Sequence, residues 1–289
     1  MYLDCKNKFN IALFGFGLVA IFSGIYFIAY KSATPSLPER DIVLSPHYDD
    51  AVLSLGGFLA QNKNKAVVAT FFTQNASTTR ETKWDKLSGF ASSLESFAKR
   101  SVENTNALNL LGVQGLDYSF VDFQYRKVGQ SAGQSTTTLN ELSTSIEELI
   151  QKNKSDKINI YGPAFFGDVI THPDHKLLHE AFMEVAKLYA NNSNISFFMY
   201  EDFPYIQDYN KKNTDSLKSF IEKNDQVSLV PISLKISASD VLLKEQALLK
   251  YTSQIKAFNT LSEDIVGESK AFTSTRCGKT ACEIVYKIK

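Results

Sequence analysis

The chain has 289 residues and a balanced charge, with 31 lysines and arginines against 31 aspartates and glutamates. Proteins that track phosphate backbones carry a basic excess, so this balance argues against a nucleic-acid partner. Apolar residues make up 44% of the chain. A chain of this hydrophobicity buries enough surface to offset the entropy of ordering, so extensive disorder is excluded as well.

One N-terminal segment departs from this average. Residues 11–30 contain 16 apolar residues in 20 and no charged residue, and a 20-residue helix is about as long as the hydrocarbon core of a bilayer is thick. Lys6 and Lys8 precede the segment, as in a cleaved signal peptide, but no small-residue cleavage site follows it. We therefore expect an uncleaved, single-pass membrane anchor. The preceding positive charge predicts that the rest of the chain is extracytoplasmic, although Lys31 weakens the asymmetry.

The three cysteines bear on the same question. Cys5 precedes the apolar segment, whereas Cys277 and Cys282 lie between two strand-like runs, residues 270–275 and 283–288. A hairpin there would bring the two thiols close enough to form a disulfide, which suits an oxidising compartment. Two free thiols are the alternative, and zinc is disfavoured because no second pair of ligands is nearby.

The whole sequence divides into four predicted regions: a tail over residues 1–10, the anchor over 11–30, a linker over 31–40 and one large domain over 41–289. Within the domain, apolar runs that predict buried strands alternate with helical patterns. The strands are expected at 41–45, 66–73, 157–161, 195–200 and 227–232, and the helices at 50–62, within 88–111, at 139–152, 174–190 and 239–258. This alternation predicts an α/β, Rossmann-like domain with a largely parallel sheet flanked by helices. Ligands of such sheets bind beyond the carboxyl ends of the strands.

The first of these strand ends carries the sequence SPHYDD. His47, Asp49 and Asp50 lie where a buried strand turns into a helix. A histidine with two adjacent carboxylates offers a divalent cation two ligands and leaves the second carboxylate available for another task. The alternative is that one aspartate only caps the helix and His47 is a surface residue.

The other three histidines cluster in THPDHKLLH. Pro173 and Asp174 are typical of a helix start, so His172 precedes the helix and His175 lies in its first turn. The segment follows a predicted strand and can therefore reach the same sheet edge as His47. His179 is interpreted as a packing or hydrogen-bonding residue, because the glutamate of an HExxH metal helix is missing.

Two histidines, one carboxylate and an open position are typical of a catalytic zinc site. Zinc in such a site lowers the pKa of a bound water from about 15.7 to about 7. Iron(II) accepts the same ligands, so the residues alone leave the identity of the metal open.

These two histidine-containing segments resemble the motifs of a known family, the PIG-L or LmbE-like N-acetylglucosamine deacetylases. The family motif (A/S)PHPDD, followed by an apolar stretch and GG, stands here as SPHYDDAVLSLGG, and the second motif stands as HPDH. Three further segments are similar to family patterns in the right order: Arg100 and Glu103 in R-x-x-E, YEDFPY at 200–205, and Lys244 with YTSQ at 251–254. The resemblance extends from about residue 41 through nearly the whole remaining chain.

The resemblance implies a role for each residue of the two motifs. The zinc ligands would be His47, Asp50 and His175. Asp49 would act as general base on the attacking water. His172 would stabilise the oxyanion or protonate the leaving amine, and Asp174 would orient a histidine.

The same resemblance points to residues that would bind the sugar. Arg100 matches the family arginine that holds the substrate, although an ion pair with Glu103 on a helix surface is the alternative. Asp122 is a candidate for hydrogen bonds to sugar hydroxyls, with Arg126 beside it. The sequence departs from the family at Tyr48, usually proline, and at Ala51, glutamate in many members. Neither is a proposed ligand, so the departures bear on substrate identity more than on hydrolysis.

We therefore expect a metal-dependent hydrolase that removes the N-acetyl group from an N-acetylglucosamine-type sugar or glycoconjugate. The expected cofactor is Zn²⁺, with Fe²⁺ or another divalent cation as the alternative, and the expected partners are the sugar substrate and, through the N-terminal helix, the membrane. Two rival functions are an amide hydrolase of the same family that acts on a different acyl group, and a non-catalytic, membrane-tethered carbohydrate-binding protein. The sequence leaves the oligomeric state open.

Overall fold

The structure, a computed structural model, describes residues 39–74, 81–126, 138–153, 155–165, 172–212 and 216–289. Within these ranges seven strands form one sheet. They are β1 (Arg40–Ser45), β2 (Ala66–Thr70), β3 (Gln114–Asp117), β4 (Ile158–Pro163), β5 (Ile195–Tyr200), β6 (Leu229–Lys235) and β7 (Cys282–Ile288).

The order of the strands places a topological switch in the middle of the sheet. The order is β3-β2-β1-β4-β5-β7-β6, with parallel pairing from β3 through β5. From β1 the chain proceeds outward to β2 and β3, then returns to the other side of β1 for β4 and β5. A crevice opens between the carboxyl ends of β1 and β4, which is where open α/β sheets bind ligands. Strand β7 is antiparallel to both of its neighbours, so the sheet is largely but not wholly parallel.

Ten α-helices in the described ranges connect or flank these strands. They are α1 (Asp50–Gln61), α2 (Lys83–Ser88), α3 (Ser93–Leu111), α4 (Leu139–Lys152), α5 (Pro173–Leu188), α6 (Tyr205–Lys212), α7 (Leu217–Asp225), α8 (Ala238–Leu248), α9 (Thr252–Thr260) and α10 (Ile265–Thr275). Helix α1 packs against α8, and α4 packs against α5. A short 3₁₀ helix, Phe123–Tyr125, follows β3.

Local sequence signals account for several helix boundaries. Thr82 and Thr138 each form a capping box at the start of a helix, in which the hydroxyl accepts the N–H of the third helical residue and that residue's carboxylate accepts the N–H of the threonine. Helix α3 ends at Gly112, which has a φ of 70°. Glycine adopts this left-handed conformation without a steric penalty, so α3 stops there and leads into β3.

The predicted elements agree with the structure except in the C-terminal third, at two strands and at α2, which was not predicted. Residues 270–275, predicted as a strand, lie in α10, and the single helix predicted over 239–258 is two helices that meet at Tyr251. Strand β2 ends at Thr70 rather than at residue 73, and β3 was not predicted. The disulfide is confirmed, because Cys277 and Cys282 are bonded with their Cα atoms 5.8 Å apart.

The predicted membrane anchor at residues 11–30 and most of the linker lie outside the described residues. Among the helices that the structure does describe, none is both long and apolar enough to cross a bilayer.

Candidate active site

Three neighbouring strands deliver the candidate catalytic residues to one edge of the sheet. The loop after β1 carries His47 and leads into α1, which begins at Asp50. The segment after β4 ends with His172 as the N-terminal cap of α5, whose first turn contains His175. Asp202 follows β5, after Glu201. Because β1, β4 and β5 are adjacent and parallel, their carboxyl ends bring residues from distant parts of the sequence together.

The side chain of Asp50 lies between two histidines. Its Oδ2 atom is 3.1 Å from Nδ1 of His47 and 3.3 Å from Nε2 of His175. All three residues are buried, with 5–7% of their surface exposed. The backbone N–H of His47 also donates to the same carboxylate oxygen at 2.7 Å, which fixes the loop against the start of α1.

Further carboxylates hold the remaining nitrogen of each histidine. Nε2 of His47 lies 3.0 Å from Oδ2 of Asp174, and Nδ1 of His175 lies 2.5 Å from Oδ2 of Asp202. Asp174 is fully buried, accepts the backbone N–H of Phe123 at 2.8 Å and forms an ion pair with Arg126. Contacts of this kind set the tautomer and the orientation of histidines that bind metals.

Asp49, the neighbour of Asp50, faces a different group. Nη2 of Arg100 lies 3.5 Å from Oδ1 of Asp49, and Nη1 of Arg100 lies 3.8 Å from Oδ2 of Asp122. The alternative of a surface ion pair between Arg100 and Glu103 is wrong. Arg100 is only 6% exposed, and Glu103 instead accepts hydrogen bonds from Thr252 and Ser253 at the start of α9.

His172 lies above this group of residues. Its ring meets that of His47 edge to face at 4.7 Å and that of His175 at 5.0 Å. Its Nδ1 atom is buried and has no hydrogen-bond partner in the described part of the chain. His172 itself lines the cavity beside the other two histidines.

The surroundings shift the pKa values of the adjacent Asp49 and Asp50 in opposite directions. Burial, reinforced by the charge of Asp50, raises the pKa of Asp49. Burial alone would also raise the pKa of Asp50, but His175 and His47 outweigh it and hold that pKa well below its usual range. A carboxylate with a raised pKa suits proton transfer near neutral pH, and one that stays ionised suits cation binding.

The pKa values of two of the histidines are also separated. Burial, together with the neighbouring His47, holds the pKa of His172 well below 6.5, so its imidazole is neutral. Burial would lower the pKa of His175 too, but Asp202 and Asp50 outweigh it and raise that pKa to about 10. Asp202 and Asp50 thus stabilise a positive charge on His175.

The donor set fits a divalent metal. In a tetrahedral zinc site with bonds of about 2.1 Å, neighbouring donor atoms lie about 3.4 Å apart, close to the 3.1 and 3.3 Å that separate Oδ2 of Asp50 from the two histidine nitrogens. Nε2 of His175 makes no hydrogen bond within the described residues, although it is buried. Ring nitrogens of His47, His172 and His175 also lie within 4.8 Å of one another. Ligand atoms of Asp50, His175 and Asp202 form a second such group, so the histidines and aspartates of this site offer a divalent metal more than one set of ligands.

A salt bridge within the core holds the helix that carries Asp50. Helix α1 is kinked at Leu55, where φ and ψ leave the helical region. Glu283 of β7 accepts the N–H groups of Gly57 and Phe58, at 2.9 and 2.8 Å, and is itself held by Nζ of Lys244 at 3.0 Å. A Cβ atom on Gly56 would lie 2.6 Å from Cγ of Lys244, so the close packing of α1 on α8 requires glycine.

A cavity of about 510 Å³ opens over the histidines and aspartates. One wall is formed by Trp84, whose Nε1–H donates to Oε1 of Gln254 at 2.9 Å and whose ring meets Phe258 edge to face at 5.3 Å. The side chain of Trp84 is half-buried and lines the cavity. Tyr205 also lines the cavity and contacts His175 edge to face.

The structure brings every site residue proposed from the sequence to this one region. The cavity lining includes His47, Asp49, Asp50, Arg100, Asp122 and His172, and His175 and Asp174 lie directly behind His47 and Asp50. His179 hydrogen-bonds the carbonyl of Pro163 at 2.9 Å and contacts Asp225, as expected of a hydrogen-bonding residue. Asp202 belongs to the YEDFPY segment, but nothing in the sequence indicates its contact with His175.

Comparison with solved structures agrees with this fold. The zinc-inhibited form of teicoplanin deacetylase Orf2 superposes with a TM-score of 0.66 at 20% identity, covering 86% of this chain and 98% of that one. The A40926 pseudoaglycone deacetylase Dbv21 gives 0.67 at 22% identity, with 86% and 97% coverage. A conserved protein from Thermus thermophilus gives 0.51 at 17% identity, with 85% and 92% coverage.

No curated protein sequence matches the chain. The profile of one family does match, over residues 42–186, and this region contains both the SPHYDD and the HPDH motif. The chain thus belongs to the PIG-L family, whose description is GlcNAc-PI de-N-acetylase.

Proposed function

We propose that the protein is a metal-dependent hydrolase that removes the N-acetyl group of an N-acetylglucosamine-type sugar. The observation that carries the proposal is the placement of Oδ2 of Asp50 between His47 and His175, with Asp49 beside them and directed toward Arg100 instead. In this arrangement Asp50 and the two histidines are the proposed metal ligands. The carboxylate of Asp49 remains available beside them at the floor of the cavity. Family membership and the likeness to deacetylase structures support the same chemistry.

A metal held by His47, Asp50 and His175 would polarise the amide carbonyl and lower the pKa of water. Zinc is the metal we propose, because two imidazoles and one carboxylate with an open position are its usual catalytic ligands. Asp174 and Asp202 keep the two imidazoles in orientation through their second nitrogens.

Asp49 is proposed as the general base. It takes a proton from the water that attacks the acetyl carbonyl, and Arg100 keeps its carboxylate in position for that step. The new C–O bond forms as the carbonyl C=O opens to an oxyanion. His172, neutral and with an unpartnered ring nitrogen over the site, stabilises that oxyanion by donating a hydrogen bond.

The C–N bond then breaks, and the amine nitrogen receives the proton that Asp49 had taken up. The products are acetate and a sugar with a free amino group. Asp122 and Arg100 lie at the same end of the cavity and are proposed to hold the sugar hydroxyls.

We further propose that residues 11–30 tether the enzyme to a membrane with the catalytic domain on the extracytoplasmic side. The uncharged apolar segment and the disulfide between Cys277 and Cys282 support this arrangement. Membrane fractionation of cells that express the full chain, followed by protease treatment from outside, tests it. A protein that stays in the soluble fraction would contradict the tether.

The test of the activity uses the full chain with zinc and a panel of N-acetylated amino sugars, with free amine and acetate measured by mass. We expect release from at least one N-acetylglucosamine derivative. The Asp49→Asn variant should lose at least about 100-fold in kcat while it retains zinc, whereas Glu148→Gln, on the exposed face of α4, should act like the parent chain. Absence of release from every sugar, or full turnover by Asp49→Asn, would reject the proposal.

A further inference from the structure

The acids that line the cavity fall into an inner and an outer group. Six carboxylates line it, but among the described lining residues only Arg100 is a permanent cation. The inner acids, Asp49, Asp50 and Asp122, are at most 7% exposed and contact Arg100 or the histidines. The outer acids are Asp208, Glu263 and Glu268. The inner acids are therefore engaged within the site, and of the outer acids Asp208 also has an interaction partner, which leaves Glu263 and Glu268.

Two of the outer acids form no ion pair with a lysine or arginine of the described residues. Within the described ranges, no lysine or arginine nitrogen lies within 4 Å of the carboxylates of Glu263 or Glu268. The turn between α9 and α10 places Glu263, and Glu268 lies in the first turn of α10, where Asp264 caps the helix by accepting the N–H of Gly267 at 3.0 Å. These carboxylates are thus carried on a fixed turn rather than on a loose chain end.

The wall beside these acids is aromatic and also fixed. Trp84 is held by its hydrogen bond to Gln254 and by its edge-to-face contact with Phe258. A tryptophan face packs well against the apolar face of a sugar ring and attracts a positive charge, whereas an anion is repelled by it. The aromatic wall and the outer acids therefore both favour an uncharged or positively charged ligand over an anion.

Polar atoms at the floor of the cavity still lack partners. Nε of Arg100, a residue only 6% exposed, makes no hydrogen bond in the described part of the chain, and neither does Nδ1 of His172. These atoms are independent of the outer acids. Both atoms are buried and belong to the proposed active site.

We infer that the substrate is a glycan whose group next to the reacting N-acetylglucosamine is uncharged or carries an amine, and that a phosphate or carboxylate at that position is selected against. This inference rests on the proposed function and narrows its substrate class. The physical reason is that a cleft lined by charges of one sign concentrates ligands of the opposite sign and excludes ligands of the same sign. An amino-sugar oligosaccharide, in which the neighbouring residue already bears a free amine, has the favoured chemistry.

Three glycosides of N-acetylglucosamine that differ only in the charge of the aglycone test this inference. They carry ethyl, 2-aminoethyl and 2-phosphoethyl groups, and kcat/KM is measured with the full chain and zinc at low ionic strength. We expect the order aminoethyl, ethyl, phosphoethyl, with about a tenfold difference between the two charged substrates. At about 0.5 M salt the difference should shrink, because the charges that cause it lie in the exposed mouth.

A pair of double variants assigns the effect to the mouth. E263Q/E268Q should reduce the tenfold difference to about threefold or less, whereas E147Q/E148Q, which removes two charges from α4 outside the cavity, should leave it unchanged. Thermal unfolding of both variants checks that they are folded. Equal rates for the three substrates, or a preference for the phosphoethyl glycoside, would overturn the inference while the proposed function stands. Failure to deacetylate any of the three would overturn both.

Discussion

The Nδ1 atom of His175 lies 2.5 Å from Oδ2 of Asp202, a residue that follows the neighbouring strand β5. This contact fixes the imidazole so that its Nε2 atom faces Asp50. A carboxylate on the far nitrogen of a metal-binding histidine sets its tautomer and increases its basicity. In the proposed metal site Asp202 is therefore a positioning residue, which acts through His175.

Replacing Asp202 by asparagine should weaken zinc binding by about 10- to 100-fold, because the imidazole loses its charged acceptor but keeps a side chain of the same shape. Competition with a zinc-binding dye measures the affinity directly. A matched control exists at the other histidine of α5, since Asp225 lies 3.2 Å from Nε2 of His179. Asp225→Asn should bind zinc as the parent chain does. Equal affinities for the two variants would mean that Asp202 has no role in the site.

Binding of the metal should also stabilise the fold. A ligand that binds only the folded state at a concentration of about 100 times its Kd adds about 2.7 kcal/mol to the free energy of unfolding. We expect a chelator to lower the melting temperature of the full chain and zinc to restore it. The His175→Gln variant, which lacks one proposed ligand, should show a much smaller response to zinc. A parent chain whose melting temperature ignores both treatments would argue that no metal is held.

Most of this site could be predicted because its chemistry is concentrated in two short segments. His47, Asp49 and Asp50 lie within four residues, as do His172, Asp174 and His175. Each segment follows a buried strand, and parallel sheets bring such strand ends together. Asp202 also follows a buried strand, but one acidic residue at a strand end is too common a pattern to identify its partner.

The prediction failed where a short window of sequence hid a helical period. Residues 270–275, KAFTST, are rich in the residue types that strands favour, yet they lie in α10. The buried positions Ile265, Val266, Ser269 and Thr273 recur at helical spacing, and Asp264 caps the first turn. A longer window would have revealed that period, because all of these positions except Thr273 precede residue 270.

The contact between Glu283 and Lys244 could not be predicted from sequence, since the two residues are 39 positions apart and meet only when α8 packs beside β7. Lys244 is 1% exposed and Glu283 is 3% exposed. The Lys244→Met variant leaves a buried carboxylate without its cation, so we expect the free energy of unfolding to fall by about 3 kcal/mol. Urea titration of the full chain measures this change.

Lys250→Met is the control for that variant, because Lys250 is exposed just beyond the end of α8. Its effect should be within about 0.5 kcal/mol of zero. A Lys244→Met variant as stable as Lys250→Met would show that Glu283 holds the kinked helix α1 without the contact from Lys244.

The disulfide between Cys277 and Cys282 should contribute to stability through the chain segment that it closes. Arg276, which directly precedes Cys277, donates two hydrogen bonds to Glu201, and Glu201 precedes the Asp202 that holds His175. Loss of a cross-link over so short a loop costs about 2 kcal/mol by the loop-entropy relation. We therefore expect the C277A/C282A double variant to unfold at lower urea concentration. It should also bind zinc less tightly than the parent chain, because the support behind Asp202 is loosened.

The matched control is Cys5→Ser, which removes the remaining cysteine and should change neither property. Unchanged zinc affinity in a clearly destabilised double variant would confine the disulfide to a structural role and separate it from the site.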